Sequence, residues 1–101
     1  MSESDDAVMR YQHLIQERID ARPLSGERSE FEFKSLFDDD EWNDLTDGGR
    51  LSKSVTWAFA QRIHGYKAAR DPVFTNVQSR RHLGEVEPDT IFRRIEGAND
   101  V

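Results

Sequence analysis

One stretch constrains this chain more than any other, because both of its ends are signalled in the sequence. Asp47-Gly48-Gly49-Arg50-Leu51-Ser52-Lys53-Ser54-Val55-Thr56-Trp57-Ala58-Phe59-Ala60-Gln61-Arg62-Ile63-His64-Gly65 reads as a single helix, 47–64. Thr46 or Asp47 can accept a hydrogen bond from a free backbone N–H at its start. Gly65 can take the left-handed conformation that closes its end. Leu51, Val55, Ala58, Phe59 and Ile63 recur at helical spacing on one face. Arg50, Lys53, Ser54, Trp57, Gln61 and His64 fall on the other, and that polar face is where function is to be sought.

The 101 residues suffice for one small domain. A chain of that size buries only about two-thirds of its unfolded surface, so its stability is modest. Cysteine is absent, which excludes disulfides, iron–sulfur clusters and thiol chemistry. No apolar run is long enough to span a membrane. Met1-Ser2-Glu3-Ser4-Asp5-Asp6 is acidic where a secretory signal would be basic and then apolar. The expectation is a cytoplasmic protein with no membrane association. The net charge of −6 conceals an asymmetry. Residues 1–49 carry 14 acidic and 5 basic side chains, whereas residues 50–101 carry 6 acidic and 9 basic. A polyanion would therefore meet the second half of the chain.

In chain order, Ser4 or Asp5 can cap a first helix, 4–22, with Val8, Tyr11, Leu14, Ile15 and Ile19 as its apolar stripe and Pro23 as its stop. His13 lies off the stripe and reads as a solvated residue. Ser29-Glu30-Phe31-Glu32-Phe33 alternates with the period of a short half-buried strand. A second helix follows, broken near Asp38, with Leu36, Phe37, Trp42 and Leu45 buried. After the 47–64 helix, Tyr66 to Arg70 is a short strand or an extended exit, and Asp71-Pro72 is a turn. Val73 to Leu83 and Thr90 to Ile95 form a hairpin around the loop Gly84 to Asp89. Residues 97–101 are a frayed tail.

This order predicts a single α+β domain of winged helix-turn-helix-like form: helix, short strand, helix, helix and a two-stranded wing. The core spans 25–96, with the short strand pairing against the hairpin and the 47–64 helix lying beside the wing. A hairpin is marginal alone, and a third strand with an apolar helical face stabilises it. A generic α+β domain with the same elements in another arrangement is the alternative.

Gly26, Phe31, Phe33-Lys34-Ser35-Leu36-Phe37, Glu41-Trp42-Asn43, Arg50-Leu51 and Phe92-Arg93-Arg94 carry a resemblance. From about residue 25 to 95 the chain resembles a family of small bacterial and phage domains with no assigned activity. In these an F-x-x-K-x-L-F entry precedes E-W and an arginine-led helix. Lys53-Ser54 stands where family members often carry Leu-Gly. The resemblance implies a winged-helix-like fold and brings no catalytic or ligand residues with it.

Three functions are compatible with these residues. In nucleic-acid binding, to double-stranded DNA and in a regulatory role, Arg50 and Lys53 would reach phosphates. Ser54, Trp57 and Gln61 would face base edges. Arg80, Arg81, Arg93 and Arg94 on the hairpin would hold the backbone. Neighbouring arginines on a strand point to opposite faces, so about half of them can share one surface. Structurally, Trp57 can equally be a packing residue, and the hairpin arginines can simply pair with the acidic helices. In the second reading, Asp38, Asp39, Asp40 and Glu41 form an acidic patch that docks a basic protein or mimics nucleic-acid phosphates, as a phage or mobile-element inhibitor would. The commoner role for such a run is a capping and solvating turn. The stripe of the first helix could also support a homodimer. The third reading, an enzyme or metal protein, finds little footing. His13, His64 and His82 lack metal-ligand spacing, the aspartates lack a calcium-loop pattern, and no phosphate-cradling glycine loop is present. The expectation is therefore a non-enzyme without metal or cofactor.

Overall fold

The computed structural model describes residues 2–63, 72–79 and 86–96. Helix α1 (Glu3–Arg10) starts on a capping box. The Ser2 hydroxyl accepts the Asp5 amide at 3.1 Å, and the Asp5 carboxylate takes the Ser2 hydroxyl at 2.7 Å. The cap is thus Ser2, not Ser4 or Asp5, because Asp5 occupies the third helical position and reaches back. The helix expected over 4–22 is two helices: it breaks at Tyr11, and α2 (Gln12–Asp20) follows. At the break, the Tyr11 hydroxyl donates to Asp44 at 2.6 Å and its ring meets Phe37 edge-on at 6.0 Å.

A 3-10 turn (Glu27–Ser29) leads into β1 (Glu30–Glu32), and a second one (Phe33–Leu36) follows it. The strand is therefore shorter than the alternation suggested, because Phe33 already turns toward the core. Asp38 and Glu41 form the capping box of α3 (Asp39–Thr46), which places the foreseen break at the start of that helix.

The junction between α3 and α4 (Ser52–Ala60) differs most from the sequence reading. Asp47, Gly48 and Gly49 all have positive φ, at 53°, 71° and 98°. Asp47 closes α3 in the left-handed conformation, and the Gly48 amide returns to the Asn43 carbonyl at 2.8 Å. Neither Thr46 nor Asp47 caps α4, whose N-cap, Leu51, makes no side-chain hydrogen bond. Thr46 instead holds the turn from the α3 side. Its hydroxyl donates to the Trp42 carbonyl at 2.6 Å and accepts the Gly49 amide at 2.9 Å. The helix also ends sooner than the expected 64, at Ala60 with Gln61 as its C-cap, and Ile63 already bridges Phe74. Gly65 and residues 66–70 lie outside the described residues.

β2 (Val77–Ser79) and β3 (Ile91–Arg94) complete an antiparallel sheet in the order β1-β3-β2. Phe31 pairs with Phe92, and Phe92 with Ser79. The short first strand does pair with the later hairpin, as expected, through β3 alone, though both later strands are shorter than predicted. Val73 and Phe74 run instead beside the end of α4, where both amides donate to the Arg62 carbonyl. Thr75 is held by Gln16 of α2, whose side-chain amide exchanges two 3.0 Å hydrogen bonds with the Thr75 backbone.

These elements form an α+β fold of four helices and a small three-stranded antiparallel sheet. Phe59 of α4 is the centre of the core. It stacks on Phe33 at 4.4 Å and meets Phe92 and Phe74 at 4.9 and 5.2 Å. Trp42 and Leu45 are buried as expected, and His13 is exposed. Val8, Ile15 and Ile19 are fully buried in the same core. Of the stripe proposed for dimer formation, Val8, Ile15 and Ile19 are thus covered within the chain's own core, while Tyr11 and Leu14 stay half-buried.

Candidate functional site

Helix α4 buries Val55, Thr56, Ala58, Phe59 and Ala60, which fixes the opposite face outward. Lys53 and Ser54 are exposed, and Trp57 and Gln61 are half-buried along the same side. Together with Leu51 and residues 2–5 of α1 and its cap, they line an open groove of about 590 Å³. Trp57 is half-buried: it packs against the core and also lines this groove.

The cations of this face already have carboxylates beside them. Arg50, exposed in the turn before α4, meets Glu3 of α1 and Asp47, each at 2.8 Å. These hydrogen bonds, Asp47's first, raise the guanidinium pKa further above its ordinary value. Lys53 lies 3.3 Å from Glu87, in the turn Glu87–Thr90 that leads into β3. At the far end of α4, Arg62 pairs with Asp5 at 2.8 Å while donating to the Ala58 carbonyl. This last pair is the least exposed of the three, at 15% and 24% of the side-chain surfaces. The Ser2 hydroxyl, and then Arg62, hold the Asp5 carboxyl below its ordinary range against the opposing effect of burial. Reading the sequence missed both members of this pair. The available signal was the charge asymmetry, since an acidic first helix must find a basic surface when the chain closes on itself.

Of the hairpin arginines, the structure places Arg93 and Arg94 apart. Arg93 is exposed on the outer face of the sheet, opposite Glu30 on one side and Gln78 on the other. Arg94 is half-buried on the other face, donates to the Ile95 carbonyl, and has a buried Nε without a partner. Arg80 and Arg81 lie outside the described residues.

The acidic patch is likewise divided. Asp38 caps α3, and Glu41 both completes that capping box and takes both ends of the Arg18 guanidinium, at 2.6 and 3.0 Å. The Arg18 fork, then the Asp38 amide, holds the Glu41 carboxyl below its usual value. Asp39 and Asp40 are exposed in the first turn, where negative charge favours the helix start. Asp44 faces Tyr11 and Arg10, so the charged side of α3 is tied to α1 and α2. Among the described residues no group of acidic or histidine side chains is placed to hold a metal ion, and no helix is long and apolar enough to cross a membrane.

No family profile, curated protein sequence or solved structure matches this chain.

Proposed function

We propose that the chain is a winged-helix-like domain that binds nucleic acid, in the first instance double-stranded DNA, in a regulatory role in the cytoplasm. The polar face of α4 would enter the groove, with Lys53 and Arg50 at phosphates and Ser54, Trp57 and Gln61 toward the bases. Arg93, and Arg80 and Arg81 that follow β2 in the sequence, would lie along the backbone. The observation that carries this reading is the Lys53–Glu87 contact at 3.3 Å, which sets the approach to β3 against the first turn of α4. A recognition helix needs that neighbour, because helix and wing must reach one duplex together. The sheet order β1-β3-β2 and the tight glycine turn before α4 favour the same arrangement.

The carboxylates on this face do not preclude the reading. The pairs of Arg50 and Lys53 are more than half exposed, and exposed ion pairs add little to stability. A phosphate can take the place of Glu3 or Glu87 at little cost.

The test is fluorescence anisotropy on a generic duplex between 50 and 200 mM salt. Log affinity should fall linearly with log salt, with a slope of about −0.9 per phosphate neutralised. An Arg50→Gln, Lys53→Gln, Arg93→Gln triple variant should flatten that slope. Undetectable binding at the lowest salt, or an unchanged slope in the triple variant, would reject the proposal. A pull-down partner lost on changing Asp39 and Asp40 to Asn would then favour the protein-docking alternative.

A further inference from the structure

A second cationic site lies in the acidic half of the chain. The end of α2 and the two 3-10 turns enclose a cleft of about 390 Å³, lined by Glu17, Arg18, Arg22, Arg28, Ser35 and Leu36. Arg18 is neutralised there by its bidentate pair with Glu41. Arg22 and Arg28 are not. Among the described residues neither makes an ion pair with a carboxylate. Arg22 is half-buried, with its guanidinium 4.8 Å from the Phe31 ring centre. It is fixed by donating to the Arg28 and Ser35 carbonyls, at 3.1 and 3.4 Å. Burial, and then the charge of Arg28, push its pKa down from the ordinary value. The fold thus holds two like charges at one cleft, the inner one pre-oriented and partly desolvated, with donors left over on both.

We infer that this cleft binds a phosphoryl group, held between the guanidinium groups of Arg22 and Arg28 with the Ser35 hydroxyl at its edge. Guanidinium forks match the geometry of phosphate oxygens and hold them in pairs. A dianion relieves the repulsion between the two arginines more fully than a carboxylate does. The cleft exceeds the size of a bare phosphate, so there is room for the group the phosphate is attached to. The phosphate can belong to a small phosphate ester or to a nucleic-acid strand. This inference does not depend on the α4 face.

The test uses inorganic phosphate as probe and the arginine Nε–Hε NMR resonances as readout, at constant ionic strength, with chloride as control. Arg22 and Arg28 should shift saturably with phosphate and not with chloride. Arg28→Gln keeps the backbone carbonyl that Arg22 uses and alters an exposed side chain, so it should leave the fold intact and weaken phosphate at least tenfold. Arg28→Lys should fall between. A short duplex then separates the sources: if Arg28→Gln weakens duplex binding as well, the phosphate is a backbone one, and if it does not, the ligand is a free ester. Shifts that never saturate, that equal those with chloride, or that persist unchanged in Arg28→Gln would overturn the inference.

Discussion

Thr46→Val is the sharpest probe of how α4 is positioned. Valine keeps the shape and β-branching of threonine at a fully buried site, so packing changes little. Two hydrogen bonds disappear, the one to the Trp42 carbonyl and the one from the Gly49 amide. Gly49 is exposed, so water can reach its N–H, and the loss is that of the two hydrogen bonds themselves. At about 0.5–1.5 kcal/mol net for each, a loss of about 2 kcal/mol is expected. For a domain of this length that corresponds to roughly 10 °C in melting temperature. Thr46→Ser retains both bonds and deletes one buried methyl, for about 0.8 kcal/mol. Thermal and urea unfolding followed by circular dichroism measure both variants. If Thr46→Val stays within about 0.5 kcal/mol of the parent, or Thr46→Ser proves the worse of the two, the hydroxyl does not hold the turn.

Gly49→Ala meets open space but imposes a side chain at φ 98°, so unfolding experiments should show a loss of about 1–2 kcal/mol from backbone strain alone. Phe59→Ala removes the ring on which Phe33, Phe74 and Phe92 converge, and denaturation should report about 3–5 kcal/mol. Because the folded-state pKa of Asp5 is depressed, its contribution to stability is present above the unfolded value near 3.8 and is lost as pH falls through the folded value. The stability gap between the parent and Asp5→Asn should therefore be constant at neutral pH and close below about pH 4, as urea midpoints across pH can show. If phosphates do compete with Glu3 for Arg50, Glu3→Gln should tighten duplex binding a few-fold at low salt, and the gain should vanish in an Arg50→Gln background.

Periodicity carried most of the core. Phe31, Trp42, Leu45, Val55, Phe59 and Phe92 are buried because alternation and helical spacing report which face of an element is apolar, and burial follows from that. Ends were less legible, since a cap depends on where the first hydrogen bond forms. Thr46 and Asp47 look like N-caps for the helix that follows, yet they finish the helix before it, because three successive positive φ values intervene. The break at Tyr11 left no glycine or proline in the sequence; it comes from tertiary contacts with Asp44 and Phe37. At the candidate site, the shared face of Lys53, Ser54, Trp57 and Gln61 was readable from spacing, and so was the divergence of Arg93 and Arg94. The partners Glu3, Asp5 and Glu87 were not, because ion pairs between distant segments follow from packing rather than from any local pattern.

Backbone amide NMR with a short duplex at low salt tests the central claim most directly. The account predicts shifts at Arg50, Lys53, Ser54, Trp57 and Gln61 and at Ile91 to Arg93, with Asp39 to Asp44 unmoved. Shifts confined to the exposed face of α3, or none at all, would contradict it.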